Sequence, residues 1–263
     1  MITSSSNPKM KHIIQLNKKP KTRYEQRVFV VEGIKMCMEA PREQIQAMYI
    51  SESFLADRNN QELIKDYSYE TVSDHVFSQI SDTKTPQGVL CLVKMPEYRM
   101  EELLGSIPHL LILENIQDPG NLGTMMRTGE GAGITGMIMD KTTVDLFNPK
   151  TIRSTMGSLF RVPFYVTDNV EETIGALKER GIALYAACLD GTMAYDAADY
   201  TGPCGFLVGN EAKGLRMETA AFADAHVRIP MEGTVESLNA AVASALLMYE
   251  VNRQRRKANA NLV

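Results

Sequence analysis

The 263-residue sequence contains no apolar run approaching the roughly 20 residues that cross a bilayer, so no membrane-spanning helix is expected. Its first residues are polar and basic, without the apolar centre of a secretion signal, which points to the cytoplasm. Cysteine is scarce. Cys37, Cys91, Cys188 and Cys204 stand far apart and form no CxxC pair, which argues against a disulfide framework or a zinc site and leaves reduced core thiols as the expectation. His12, His75, His109 and His226 show no ligand spacing either, so no metal is expected. What is present is an ordinary globular balance, 44% hydrophobic and 23% charged, over a length comfortable for two domains. Sixteen methionines fit core filling better than any cofactor role.

A formal net charge of -4 excludes a uniformly basic nucleic-acid binder, but the charge is uneven. Residues 1–35 carry eight basic side chains (Lys9, Lys11, Lys18, Lys19, Lys21, Arg23, Arg27 and Lys35) against Glu25 and Glu32. Arg253, Arg255, Arg256 and Lys257 follow the last acid, Glu250. Clustered cations are the footprint of phosphate binding, and equally of a solvated basic arm.

Pattern and punctuation predict two α/β units. In the first, a basic helix over 7–19 precedes strands near 28–31, 47–50, 69–72 and 88–93, with short helices between them. The proline-bounded stretch 98–108 reads as a linker between a domain 1–97 and a domain 109–263. In the second, strands are expected near 110–113, 136–139, 162–166, 182–187, 204–208 and 225–229. Helices are expected near 121–132, 149–156, 170–180 and 214–222, and the apolar strand runs suit a parallel sheet buried on both faces. A last helix opens near Ser237, with Leu238, Ala241, Val242, Ala245, Leu246 and Tyr249 as its apolar stripe; further apolar residues around it suggest burial against more than one surface.

Three polar segments each follow an apolar strand, where ligands collect in open α/β sheets. The first, Glu114 to Gly123, contains the turn Asp118-Pro119-Gly120-Asn121 and leads to Arg127. Asn121 can cap the helix, and Gly123 and Arg127 share a helix face, which leaves room for a ribose or phosphate beside the guanidinium. The second, Val208-Gly209-Asn210-Glu211-Ala212-Lys213-Gly214, suits close backbone approach to a ligand, with Glu211 available for binding or proton handling. The third runs through Ile229-Pro230-Met231 to Ser237-Leu238-Asn239 at the start of the last helix, where free N–H groups favour anions. Plain capping explains Ser237 but not Asn239. The glycines 129–136 imitate a GxGxxG dinucleotide fingerprint, yet they end a helix and precede a strand, the reverse of the required order.

In this order and spacing the segments resemble the three motifs of the SpoU (TrmH-like) family of SPOUT RNA methyltransferases. The likeness rests on Asn115…Asp118-Pro119-x-Asn121-x-Gly123-x3-Arg127, Gly209-Asn210-Glu211-x2-Gly214 and Ile229-Pro230-Met231…Ser237-Leu238-Asn239. Asn148-Pro149-Lys150…Arg153-Ser154-x-Met156-Gly157-Ser158 is similar to the family's inter-motif region, and Phe29-Val30-Val31-Glu32-Gly33 to the substrate-binding domain of its rRNA-modifying members. The resemblance implies a parallel-sheet α/β domain tied in a trefoil knot, and a homodimer through the knot helices. It implies S-adenosylmethionine held by Leu207, Val208, Gly209, Ile229, Met231, Ser237 and Leu238. The reaction it implies is methyl transfer to a ribose 2'-hydroxyl of RNA, foremost 23S rRNA. Arg127, Asn121, Glu211, Ser237 and Asn239 would form the catalytic set, with Arg127 as base or as phosphate anchor. Lys9, Lys11, Lys18, Lys19, Arg23, Arg27 and Arg153 would contact RNA. A tRNA methyltransferase, a Rossmann-type enzyme and a non-catalytic rRNA-binding module remain the alternatives.

Overall fold

The computed structural model describes residues 1–260, which divide into two compact units, Met1–Pro96 with Asp145–Phe160, and Glu97–Val144 with Arg161 onward.

In the first unit, helix α1 (Pro8–Lys18) begins where the Asn7 side chain accepts from Lys9 N–H, with Pro8 in the first turn. Met10, Ile13 and Leu16 recur at threefold spacing and are fully buried, while the lysines take the other face. Helix α2 (Pro20–Gln26) and strand β1 (Val28–Glu32) follow, joined by Arg27 in the left-handed region. Helix α3 (Ile34–Glu39), strand β2 (Ile45–Ser51), helices α4 (Glu52–Leu55) and α5 (Arg58–Ile64), strand β3 (Glu70–Val72), helix α6 (Asp74–Ile80) and strand β4 (Val89–Lys94) complete the run. The sheet order is β1-β4-β2-β3, antiparallel except for the β2–β3 pair.

The second unit opens with a 3-10 turn, Met100–Leu103, inside the stretch read as a linker. Leu103 is fully buried against Gly136, where a Cβ would lie 2.4 Å from it. Strand β5 (His109–Leu113) is buried at every position and leads into helix α7 (Pro119–Ala132) and strand β6 (Gly136–Asp140). The cap of α7 is Asp118, whose carboxylate accepts from Asn121 N–H; Asn121, expected to cap, stands a turn inside with its amide free for other work. Gly133 closes the helix in the left-handed conformation, as the glycine reading requires. Helix α8 (Pro149–Thr155), in the sequence between β6 and β7, belongs to the first unit and packs on β1.

Strand β7 (Phe164–Thr167), helix α9 (Val170–Glu179), strands β8 (Ala183–Ala187), β9 (Met193–Ala194) and β10 (Cys204–Val208), helix α10 (Met217–Ala221), strand β11 (Ala225–Arg228) and helix α11 (Ala240–Ala260) follow. The seven strands are all parallel in the order β7-β6-β5-β10-β8-β11-β9. From β5 the chain runs outward to β6 and β7, then crosses to β8 and returns to place β10 beside β5. The strand order therefore reverses between β5 and β10, and a crevice for ligands opens beyond their carboxyl ends.

Two expectations for α11 need correction. It starts at Ala240, and its cap is Asn239, whose Oδ1 accepts from Ala241 and Val242 N–H at 2.9 and 3.3 Å; Ser237 lies two residues upstream and does not cap. Its buried face is Ala241, Ser244, Leu247, Met248 and Val251, which packs on α7, while Val242, Leu246 and Tyr249 of the stripe read from sequence are exposed. Two apolar stripes on one helix cannot be ranked by spacing alone. Here Met248 packs over Gly129 of α7, where a Cβ would come within 2.4 Å of Ile134 and 3.4 Å of Met248.

Candidate active site

The crevice is built from the loops that leave β5 and β10 and from the approach to α11. Glu211 carries the junction. Its carboxylate accepts from Gln117 N–H and Asp118 N–H, both at 3.1 Å, and from Asn121 Nδ2 at 3.0 Å. Asn121 Oδ1 in turn accepts from Asn239 Nδ2 at 3.0 Å. One hydrogen-bonded chain, Glu211–Asn121–Asn239, thus joins all three polar segments, although 118 positions separate Asn121 from Asn239. Burial alone would push the Glu211 carboxyl up. The bonds from Asn121, Asp118 and Gln117 outweigh it and hold the group below the usual carboxylate range, so it stays ionised.

Next to this chain lies a cavity of about 750 Å³. Its walls come from Ala187–Asp190 at the end of β8, Val208–Leu215 at the end of β10, Val227–Met231 at the end of β11, and Glu236, Ser237 and Leu238, with Ala240, Ala243 and Leu247 of α11 behind. Six of the seven residues expected around the cofactor line it: Val208, Gly209, Ile229, Met231, Ser237 and Leu238. Leu207 does not; its side chain points into the core of the unit. Gly209 has no room for a side chain, since a Cβ there would sit 2.2 Å from the backbone of Gly214 and Leu215. The loop closes on itself through paired bonds between Asn210 and Gly214, at 3.1 and 2.8 Å. Asn210 Oδ1 also accepts from Ala212 and Lys213 N–H.

Arg127 lies six residues beyond Asn121 on α7, a rise of about 9 Å along the helix. It is exposed and has no hydrogen bond or ion pair among the described residues, so its guanidinium is available to a ligand. Ser237 is exposed at the cavity.

The basic residues divide. Lys9, Lys11, Lys18 and Lys19 are exposed on α1 and its end, Lys9 paired with Glu70 at 2.6 Å. Arg27 is half-buried, and Arg153 pairs with Asp82 at 2.8 Å. Arg23 cannot contact RNA. It is 1% exposed, donates to Leu16 O at 2.5 Å and pairs with Asp145, to which Tyr24 also donates. The C-terminal cluster is also partly spent: Arg253 is held by Glu250, and Arg255 donates to the carbonyls of Ile107, Pro108, Tyr200 and Gly202.

The model of the SpoU rRNA Methylase family matches residues 108–249. The chain belongs to that family. A second model, the MRM3-like substrate binding domain, matches residues 7–91 of this SpoU methylase. The chain is 32% identical over 252 residues to the 23S rRNA (guanosine(2553)-2'-O)-methyltransferase RlmP of Bacillus subtilis, covering 95% of this chain and 98% of that protein. It is 32% identical over 195 residues to the 23S rRNA (guanosine-2'-O-)-methyltransferase RlmB of Shewanella oneidensis, covering 72% and 79%. Among solved structures, the AdoMet-bound rRNA methyltransferase of Sinorhizobium meliloti superposes with a TM-score of 0.83 at 31% identity, covering 96% of this chain and 97% of that one. No helix among the described residues of this SpoU protein is long and apolar enough to cross a membrane.

The polar segments read from sequence contain Glu114, Gln117 and Asn210 but gave them no role, and Arg216 was not singled out. Glu114 carried a usable signal, a carboxylate directly after five buried apolar strand positions. The others form bonds that depend on loop conformation, which residue spacing does not encode.

Proposed function

We propose that the chain transfers a methyl group from S-adenosylmethionine to a ribose 2'-hydroxyl of RNA, with 23S rRNA as the substrate. The observation that carries this reading is the Glu211–Asn121–Asn239 chain, which ties the helix of Arg127 to the wall of the cavity. The names of the relatives in Bacillus and Shewanella favour 23S rRNA over tRNA. A module that only bound rRNA would have no use for this polar set.

The cavity suits the cofactor. Its volume lies in the range of small-molecule sites, about 300–1,000 Å³. Leu215, Ile229, Leu238 and Leu247 offer apolar surface to a nucleoside, and Asp190, Glu211 and Glu236 offer negative charge to a cation. S-adenosylmethionine supplies an electrophilic methyl group on its sulfonium, so neither a metal nor a covalent intermediate on the protein is required. The chain's task is to hold the ribose oxygen in line and let its proton leave.

We assign Arg127 to anchoring the phosphate next to the target ribose, because a guanidinium stays protonated in proteins and is a poor base. Asn121, Glu211 and Asn239 fix α7 against the cavity wall, and Ser237 contacts the ligands from the loop before α11. Lys9, Lys11, Lys18, Lys19, Arg27 and Arg153 supply RNA affinity; if charge reversal at Lys11 and Lys18 leaves the salt slope of RNA binding unchanged, they are not in the interface. The exposed Val242, Leu246 and Tyr249 stripe supports a homodimer through α11. The interleaved order of β8, β10 and β11 supports a knot in this half of the sheet.

Arg127→Ala tests the assignment. It should abolish methyl transfer while calorimetry finds cofactor affinity unchanged, and Arg127→Lys should retain partial activity. Full turnover by Arg127→Ala would refute the role.

A further inference from the structure

Beside the cavity sits a buried charge that the reading above does not use. Glu114 follows β5 directly and is 3% exposed. A carboxylate so far from water needs strong partners. It accepts from Arg216 N–H at 2.8 Å, from Arg216 Nε at 2.7 Å and from Thr219 Oγ1 at 2.5 Å. The far edge of the guanidinium donates to Glu171 at 2.7 Å and to Thr219 Oγ1 at 3.1 Å. Glu114 N–H meanwhile donates to Val208 O at 3.0 Å.

Glu114 therefore holds both ends of the cavity loop. Its backbone pairs where the loop leaves β10, and its side chain grips Arg216 where the loop returns to α10. Two further anchors hold the middle. Asn210 Nδ2 donates to Asn115 O at 2.9 Å, and Glu211 accepts from Gln117 and Asp118 N–H. These four anchors lie in residues 114–118, which run directly into α7, and Asn121 on α7 itself adds its bond to Glu211. Because the loop is closed internally between Asn210 and Gly214, it holds its own shape, and the anchors set where that shape sits.

We propose that Glu114 and Arg216 are positioning residues that set the distance between the cofactor loop and the helix of Arg127. The inference rests on the cofactor reading above. Neither residue lines the cavity, so both act through the loop.

The two partners are not equivalent. Removing the Arg216 side chain leaves a buried carboxylate with fewer partners, which threatens the fold, whereas Glu114→Gln removes the buried charge and keeps the shape. Glu114→Gln is therefore the variant to make in the full-length protein. The measurements are calorimetric S-adenosylmethionine binding, steady-state kinetics on rRNA and thermal unfolding. The expected result is a folded protein whose cofactor Kd rises about tenfold, the scale of a lost charge-assisted bond. A lower kcat and an RNA KM within about twofold should accompany it. Glu171→Gln, which touches only the exposed edge of Arg216, should leave the affinity unchanged. A folded Glu114→Gln protein with unaltered cofactor Kd and kcat overturns the proposal. If Glu114→Gln does not fold, Arg216→Lys carries the same test, with weaker cofactor binding in support and unaltered binding against. Failure of the wild type to bind S-adenosylmethionine at all would instead refute the cofactor reading.

Discussion

His109 shows how one residue's surroundings settle its charge. It opens β5 at 1% exposure, its Nε2 has no partner, and the Arg255 guanidinium bonds the preceding carbonyl, Pro108 O. Burial, and then the nearby Arg255 charge, push its pKa down to about 4 from the ordinary 6.5. It is therefore neutral in the folded protein at neutral pH. Because the unfolded chain takes up the proton first, His109 contributes full stability above pH 6.5 and loses it as the pH falls towards about 4, up to about 3 kcal/mol. Urea unfolding should show wild type losing stability relative to His109→Gln over that window. A constant difference between the two proteins would mean that the histidine charges without penalty. Glu211 is the opposite case, a carboxylate kept ionised by three donors.

At the scale of elements, α11 separates two faces that look alike in sequence. Leu247 is 1% exposed against its own unit, whereas Leu246 is 37% exposed. Leu247→Ala should cost about 2–5 kcal/mol of monomer stability. If the proposed homodimer forms through this face, Leu246→Glu should weaken it in sedimentation while changing the stability of the monomer by under about 0.5 kcal/mol. A Leu246→Glu protein that still sediments as a dimer would remove this face from the interface. The elements themselves could be read well ahead of the structure. The strands of both sheets fall where apolar runs and turn residues placed them, because strands buried in a sheet carry short apolar runs bounded by turn residues. The short strand β9 escaped notice, since two residues carry no period. The caps were misassigned at both α7 and α11. Asp118 and Asn121, or Ser237 and Asn239, are equally able to cap, and only the bonds each side chain makes elsewhere decide between them. Arg23 was misread for a related reason: in sequence it is one more cation in a basic arm, and its partner Asp145 lies 122 positions away.

On the scale of the whole molecule, the reversal of strand order between β5 and β10 is what makes the site. It brings the loops after both strands to one crevice, and α11 returns to close the wall. The three polar segments taken together were enough to nominate residues for the chemistry proposed above. The bonds that join them, through Glu211, Asn121 and Asn239, emerged only once the sheet was assembled. The most direct measurement is nucleoside mass spectrometry of unmodified 23S rRNA incubated with the purified protein and S-adenosylmethionine carrying an isotopic label in its methyl group. The account predicts the label in a nucleoside methylated on its ribose, and none when Arg127 is replaced by alanine. Label found on a base, or no label with the wild-type protein, would contradict it.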